Sequence, residues 1–205
     1  MVLCAGGHAK VLINALLECK VEIIGVVDRD PRKHGSSVLG IKVAGGDELV
    51  LDHPPQSIQL VNGLGSVDTL QPRRLLFEKF MQKGYRFATV IHPSAVVARD
   101  VTLGEGVQIM AGVVLQPGVS IGADTIINTA ASIDHDCRIG AHTHIAPGAV
   151  LSGGVRVGSE VHLGTAAAVI HNIEIGDRSL VAAGAVVTRQ VRPGSRVSGV
   201  PANEI

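Results

Sequence analysis

The chain is poor in aromatic residues and carries no net charge. Among its 205 residues there are one tyrosine, three phenylalanines and no tryptophan. Aromatic side chains normally supply much of the volume of a globular core, so Val, Ile, Leu and Ala, together with 25 glycines, must fill a narrow and repetitive interior. With 18 basic and 18 acidic residues, the composition gives no electrostatic reason to expect nucleic acid or an anionic membrane as a partner.

Paired cysteines and long apolar runs are lacking too. Cys4, Cys19 and Cys137 show no paired spacing, which favours a reduced, cytoplasmic setting. No apolar stretch approaches the roughly 20 residues needed to span a bilayer. The start MVLCAGG has neither the basic region nor the long apolar run of a signal peptide. We therefore expect a cytoplasmic protein without an integral membrane segment.

The second half of the chain is dominated by an aliphatic residue at every sixth position. The series has sixteen members, and each is Val, Ile or Leu: Val97, Leu103, Ile109, Leu115, Ile121, Ile127, Ile133, Ile139, Ile145, Leu151, Val157, Leu163, Val169, Ile175, Val181 and Val187. The residue four places after each is mostly small or β-branched, and a glycine often follows the series position. A period of six fits neither a helix nor a simple alternating strand. It fits a short strand and a tight turn, repeated into a solenoid with a ladder of aliphatic side chains inside.

The first 91 residues lack this period and predict a small α/β domain. The segment MVLCAGGHAKVLINALLECKVEIIGVVDRDP predicts a strand, a glycine turn, a helix and a second strand that ends at Asp28. Such a βαβ unit can bind a phosphate on the N–H groups of the helix N-terminus. Asp28 follows the turn by about twenty residues, the distance at which an acidic residue commonly meets a ribose. The full GxGxxG fingerprint is missing, because Cys4 stands where a first glycine might be.

The repeat resembles that of the hexapeptide-repeat acyltransferases, which form a left-handed parallel β-helix with three hexads in each triangular coil. The resemblance covers roughly residues 94–191. With the motifs GGHAK, VVDRDP, IHPSAVV, INTAASIDHDCRIG and SGVPANEI, nearly the whole chain resembles the bacterial nucleotide-sugar N-acetyltransferases and sialic acid O-acetyltransferases, the PglD, PerB and NeuD group. The resemblance implies a nucleotide-sugar-binding α/β domain over residues 1–91 and a β-helix acetyltransferase domain over residues 92–205. It also implies acetyl-CoA as co-substrate, no metal, and a role in glycan or lipopolysaccharide synthesis.

The resemblance places the chemistry at His135. The ring has the right proton affinity to act as general base near neutral pH, and a neighbouring acid would orient it. By resemblance Asp136 is that acid, and Asp134 is the alternative. Because His135 is the second residue after the inward Ile133, we expect it on the outer side of a turn. The competing interpretation is an exposed turn histidine between two solvated acids.

Further residues are assigned by resemblance to the two ligands. His144, Gly153 and Thr165 are expected at the acetyl-CoA groove, with the His144 backbone N–H as an oxyanion donor. Gly6, Gly7, His8, Asp28, Gly65 and Asn128 are expected to contact the nucleotide-linked sugar. For most of these a surface or turn role is the competing interpretation. His142, His162 and His171 are expected mainly at the surface, and Cys137 in the core.

These expectations define an acetyl-CoA-dependent N-acetyltransferase that acts on a UDP- or GDP-linked amino sugar. The amine attacks the thioester directly, without an acyl-enzyme. O-acetylation of a sialic acid, a zinc enzyme like the γ-class carbonic anhydrases that uses His135, His142 and His144, and a non-catalytic nucleotide-sugar-binding protein are the alternatives. Three prisms can pack around a threefold axis, and the family resemblance puts the active site between neighbours, so we expect a homotrimer.

Overall fold

The computed structural model describes residues 1–66 and 69–205, which fold into two compact units, Met1–Pro93 and Ser94–Ile205. Each unit has its own hydrophobic interior, and the two are described in turn.

The first unit is an α/β fold built on a mainly parallel sheet. Its strands are β1 (Val2–Leu3), β2 (Val26–Val27), β3 (Ser37–Val38), β4 (Ile41–Gly45), β5 (Gln59–Asn62), β6 (Arg86–Phe87) and β7 (Val90–Ile91). The helices are α1 (Gly7–Glu18) and α2 (Gln71–Met81), with 3₁₀ turns at Pro31–Lys33 and Asp47–Asp52. The sheet order is β3–β4–β2–β1–β5–β6, and only the β3–β4 pair is antiparallel. The central β1 therefore brings its carboxyl end, and the glycine turn that follows, to the middle of one sheet edge.

Helix α1 forms where the sequence predicts it because one face is apolar and the other polar. Ala9, Leu12, Ile13, Ala15 and Leu16 are buried, so the helix packs this stripe inward. The second strand is shorter than the predicted run at residues 23–27 and pairs only at Val26 and Val27.

The second unit is a solenoid of two-residue parallel strands that form three faces. We name each face after outward residues that define it. The histidine face holds Gln108–Ile109, Ile126–Ile127, His144–Ile145, His162–Leu163, Leu180–Val181 and Arg196–Ser198, with Asn203–Glu204 antiparallel at its end. The valine face holds Val96–Val97, Val114–Leu115, Ser132–Ile133, Val150–Leu151, Ala168–Val169 and Val186–Val187. The arginine face holds Thr102–Leu103, Ser120–Ile121, Arg138–Ile139, Arg156–Val157 and Glu174–Ile175.

The interior of the solenoid is the predicted aliphatic ladder. Up to the last coil each strand pairs with the strand eighteen residues later in the chain, as Ile127 does with Ile145 and Ile145 with Leu163. In the last coil the spacing is sixteen, as in the pair Val181 and Val197. From Ile109 to Val187 every member of the six-residue series is buried, and Val97 and Leu103 pack against the same core. The small side chain four places after each series residue packs into the core at the corner, as that of Cys137 does. The predicted α/β unit followed by a parallel β-helix is confirmed.

The turns of the solenoid share one backbone feature. One turn residue in six has a positive φ from Gly106 to Gly184, and the position accepts glycine, aspartate, asparagine and alanine as well as His142, Glu160 and Arg178. The glycine directly after a series position has a different use. At Gly122 an added Cβ would lie 2.5 Å from the Ala141 backbone nitrogen of the next coil, so this glycine is required by close approach of coils rather than by turn conformation.

Candidate active site

His135 lies on the corner where the chain passes from the valine face to the arginine face. The corner repeats every eighteen residues, so Gly153 and His171 follow His135 at equivalent positions in the next two coils. The His135 side chain is 62% exposed, which confirms that it lies outside the core. His171 is exposed as well, as expected.

The two neighbouring carboxylates hold His135 in different ways. Asp136 Oδ2 lies 2.8 Å from His135 Nδ1, and Asp134 Oδ1 accepts a 2.8 Å hydrogen bond from the His135 backbone N–H. The hydrogen bond to Asp136, followed by the charge of Asp134, raises the pKa of His135 above its ordinary value. Because Nδ1 faces a carboxylate, the neutral ring carries its proton there and leaves Nε2 as the acceptor. Asp136 therefore orients the ring, and Asp134 fixes the backbone.

Gly153 lies directly beneath the imidazole. A Cβ added to Gly153 would lie 2.6 Å from His135 Nε2 and 2.7 Å from Cε1, so only glycine leaves room for the ring in this position. The Gly153 N–H has no hydrogen-bond acceptor among the described residues, whereas Gly154 N–H donates to the His135 carbonyl. Within the described chain, a backbone donor is therefore left available next to the basic nitrogen of the imidazole.

His144 differs from its predicted role. Its backbone N–H donates a 2.9 Å hydrogen bond to the Val161 carbonyl in the parallel ladder, because His144 is the first residue of a strand that has a neighbour on the following coil. The prediction that this N–H serves as an oxyanion donor is wrong. The ring is buried, with Nε2 3.1 Å from Asn128 Nδ2, and Asn128 Oδ1 accepts the Thr129 N–H. Asn128 and His144 are thus brought together.

Two other histidines are less exposed than expected. His142 Nδ1 lies 3.1 Å from Oδ2 of the fully buried Asp124, and the His142 side chain is only 16% exposed. Burial lowers the pKa of His162, whose ring meets the His144 ring edge-on at 5.0 Å. The expectation that His142 and His162 lie mainly at the surface holds only in part, because both are half-buried. The six-residue period identifies inward residues but not which outward side chains are partly covered. The eighteen-residue spacing of Asp124 and His142 could have revealed their contact.

The remaining predicted groups of this unit are separated. Thr165 is exposed on the corner between the histidine and valine faces, the corner on which Asn128 also lies. His135 and Gly153 occupy the corner on the other side of the valine face. Cys137 is buried, donates from Sγ to the Ser152 carbonyl, and has a pKa raised by burial, so its core assignment is confirmed.

In the first unit, the predicted sugar-binding glycines lie on the turn between β1 and α1. Gly6 is the N-cap of α1, without a side-chain cap, and Gly7 and His8 form the first turn of the helix. A Cβ added to Gly6 or Gly7 would meet no atom within 4 Å, so the packing of the fold does not itself require glycine there. A Cβ on Gly65, beyond β5, would lie 3.1 Å from the His8 Cβ, so these two predicted residues are neighbours.

Cys4 occupies the position of the missing glycine in a glycine-like conformation. Its φ is +72°, which costs a non-glycine residue on the order of 1 kcal/mol or more. Burial, followed by the charges of Asp28 and Asp47, raises the pKa of the Cys4 thiol to about 11. The turn therefore has the backbone geometry of a glycine turn although a cysteine stands at position 4.

Asp28 fixes this turn from the end of β2. Its Oδ2 accepts the Ala5 N–H at 2.7 Å and Lys33 Nζ at 2.8 Å, and its Oδ1 accepts the Asp30 N–H. Burial alone would raise the pKa of this carboxyl, but these three hydrogen bonds hold the pKa below its ordinary value. Asp28 thus has a structural role in addition to the predicted ribose contact, which stays a prediction.

A cavity of about 540 Å³ opens beside Arg29 and has a lining of mixed charge. Arg29, His34, Lys79 and Lys83 line it together with Asp47 and Glu48. Asp47 Oδ2 bonds Arg29 Nε at 2.6 Å and Lys79 Nζ at 3.5 Å. The lysine and arginine side chains of the lining therefore exceed its carboxylates only slightly in charge.

Comparison with known proteins identifies the family. Residues 1–80 match the family model described as the PglD N-terminal domain. Residues 100–129 and 118–153 match the model for bacterial transferase hexapeptide, six repeats. The structure of PerB from Caulobacter crescentus, in complex with CoA and GDP-perosamine, is 40% identical with a TM-score of 0.92, over 100% of this chain and 95% of that one. The chain belongs to the PglD/PerB-like group of sugar N-acetyltransferases.

Other solved structures agree with membership of the PglD/PerB-like group. The acetyltransferase domain of PglB from Neisseria gonorrhoeae is 34% identical with a TM-score of 0.92, over 100% of this chain and 98% of that one, and has also been solved with acetyl coenzyme A. WeeI from Acinetobacter baumannii, at 22% identity and a TM-score of 0.83 over 100% and 98% of the two chains, supports the fold alone. No curated protein matches the chain by sequence. The β-helix is accordingly left-handed, and acetyl-CoA is the co-substrate of this PglD/PerB-like enzyme.

Membrane-spanning helices and metal clusters are both missing from the part of the chain that the structure describes. No helix of residues 1–66 and 69–205 is long and apolar enough to cross a bilayer. Within the same residues no group of three or more His, Cys, Asp and Glu side chains could hold a metal ion. His135, His142 and His144 accordingly do not form a common site in the described chain.

Proposed function

We propose that this PglD/PerB-like enzyme transfers an acetyl group from acetyl-CoA to the amino group of a GDP- or UDP-linked sugar, with His135 as the general base. The observation that carries the proposal is the exposed His135–Asp136 pair beside the Gly153 N–H. Structures of the PerB relative contain CoA and GDP-perosamine, and two carry a histidine replaced by asparagine or alanine. We place the reaction in bacterial glycan or lipopolysaccharide synthesis and in the cytoplasm.

The reaction follows from the protonation state of the imidazole. The sugar amine attacks the thioester carbonyl carbon and forms the C–N bond, while His135 Nε2 takes the proton from nitrogen. The Gly153 N–H replaces His144 as the candidate donor to the oxyanion. The C–S bond then breaks, and the imidazolium returns its proton to the CoA thiolate. Asp136 stabilises the charged ring throughout.

The first unit supplies the proposed nucleotide site. The Gly6–Gly7 turn offers open space and uncapped helix N–H groups to a diphosphate. His8, Gly65 and Asp28 surround the same turn and are proposed to contact the nucleotide-linked sugar. The cavity lined by Arg29, Lys79 and Lys83 has a small excess of positive charge over Asp47 and Glu48, which favours the negative charge of this ligand.

A homotrimer would bring the separated groups of the solenoid together. The valine face is apolar, and it is bounded on one side by the His135 corner and on the other by the corner of Asn128 and Thr165. Packing three valine faces around a threefold axis would set the His135 corner of one subunit against the Asn128 corner of its neighbour. We therefore propose that acetyl-CoA, with His144, Gly153 and Thr165 along its groove, lies between two subunits, and that Asn128 contacts the sugar.

Release of the CoA thiol tests the proposal directly. The protein is incubated with acetyl-CoA and, in parallel, GDP- and UDP-linked 4-amino sugars, and free thiol is followed with a chromogenic disulfide. We expect turnover with at least one amino sugar, and His135→Asn should lower kcat by roughly 100-fold or more without changing the melting temperature by more than a few degrees. Turnover with hydroxyl acceptors only, or full activity of the variant, would contradict the proposal.

A further inference from the structure

The corner that carries His135 also holds a stack of residues beneath Asp136. Asp100, Gly118 and Asp136 occupy equivalent positions in three successive coils, eighteen residues apart. The Asp100 Oδ2 accepts a 2.9 Å hydrogen bond from the Gly118 N–H. The Asp136 N–H donates to the carbonyl of Pro117. The Asp136 backbone is thus tied to the coil that contains Gly118.

The Asp136 carboxylate lies directly against the Cα of Gly118, which carries no side chain. A Cβ added to Gly118 would lie 2.6 Å from Asp136 Oδ1 and 3.4 Å from the Asp136 backbone nitrogen. The first distance is far inside van der Waals contact, so the carboxylate would have to move. The same carboxylate bonds His135 Nδ1 through Oδ2 at 2.8 Å, and a hydrogen bond of this kind weakens steeply when its geometry is disturbed.

Backbone conformation alone does not demand glycine at this position. Gly118 has a φ of +77°, but the equivalent turn residues Ala130 and Ala166 have φ values of +57° and +55°. The solenoid therefore accepts alanine in this turn with tolerable strain. Residue 118 differs from Ala130 and Ala166 in having a carboxylate directly above it.

We propose that Gly118 is a positioning residue for the reaction: its missing side chain leaves the space in which the Asp136 carboxylate can reach His135 Nδ1. Gly118 and Gly153 then have parallel functions. One makes room for the carboxylate, and the other makes room for the ring. The proposal rests on the proposed role of His135 in acetyl transfer.

The test compares Gly118→Ala with Gly194→Ala. Gly194 has a φ of +74°, and a Cβ added there meets no atom within 4 Å, so this variant carries the backbone strain without the clash. Gly194 lies on the corner between the arginine and histidine faces, away from the residues assigned to either ligand. We expect Gly118→Ala to lower kcat/KM by about tenfold and to move the acid limb of its pH profile to lower pH. Gly194→Ala should match the wild type in both respects, and the two variants should melt at similar temperatures.

Two further measurements separate the possible failures. The pKa of His135 is measured by titrating its ring proton resonance, identified by its loss in His135→Asn. This value should fall in Gly118→Ala and stay unchanged in Gly194→Ala, whether or not the acceptor sugar has been found. In an Asp136→Asn background, Gly118→Ala should have little further effect. Equal pKa values and equal rates in the two alanine variants would overturn the role of Gly118, whereas a wild type inactive on every amino sugar would overturn the proposed function alone.

Discussion

At the residue scale, the acid–base behaviour of His135 depends on which neighbour touches the ring. The hydrogen bond to Asp136 is the main cause of the raised pKa, and the charge of Asp134 adds to it. A general base works in its neutral form, so kcat/KM should fall as the pH drops through this raised pKa. In Asp136→Asn the pKa should return toward its ordinary value. We expect the acid limb of the kcat/KM profile between about pH 5 and 9 to move to lower pH, and the plateau to fall by about tenfold.

Asp134→Asn is the matched control for that experiment. Its amide oxygen can still accept the His135 N–H that Asp134 Oδ1 accepts now, and the Asp136 contact is kept. The acid limb of the kcat/KM profile should therefore move less in Asp134→Asn than in Asp136→Asn. An equal or larger shift in Asp134→Asn would show that charge near the ring, rather than the Nδ1 hydrogen bond, sets the pKa.

The sequence could place His135 outside the core but could not choose between its two acids. Both flank the histidine, and the choice depends on side-chain geometry that the six-residue period does not state: Asp136 bonds the ring, whereas Asp134 bonds the His135 backbone N–H. The error at His144 was avoidable, because a residue directly before an inward aliphatic belongs to a strand and donates its N–H to the ladder.

Among the elements, each two-residue strand of the arginine face points one side chain into the core and leaves the other accessible to solvent. In the strand Arg138–Ile139 the arginine is exposed and the isoleucine is buried. Ile139→Ala should therefore lower the free energy of unfolding by about 2–5 kcal/mol. The substitution leaves a cavity in the stack of aliphatic side chains, in which each side chain packs against those of the coils above and below. Denaturant titration at one fixed protein concentration measures this loss.

Arg138→Ala is the control on the same strand. It should change the free energy of unfolding by no more than about 0.5 kcal/mol, as for most surface positions. Similar losses in the two variants would mean that the inward and outward residues have been misassigned. The sequence predicts which side chains point into the core, because the six-residue period is strict. The partial burial of His142 and His162 could not be predicted, because nothing in the repeat states which outward side chains are covered.

For the molecule as a whole, the valine face is a mostly apolar surface that is partly exposed in the single chain. Its outward residues are Val96, Val114, Ser132, Val150, Ala168 and Val186, whereas the arginine face presents Arg138, Arg156 and Glu174. Val96 is 62% and Val150 47% exposed in the single chain. Contiguous apolar surface of this kind commonly marks a protein–protein contact.

The predicted homotrimer makes this surface testable. Light scattering should give three times the 21.2 kDa mass of the chain. Val150→Glu places a charge in the middle of the valine face, where it would be buried without a partner in a trimer, and should shift the mass toward that of the monomer. Arg156→Glu, on the arginine face, should leave the mass unchanged. If His135 works against groups of a neighbouring subunit, Val150→Glu should also lose turnover in proportion to the lost trimer, although it lies outside the His135 corner. A monomeric wild type with full activity would exclude a site shared between subunits.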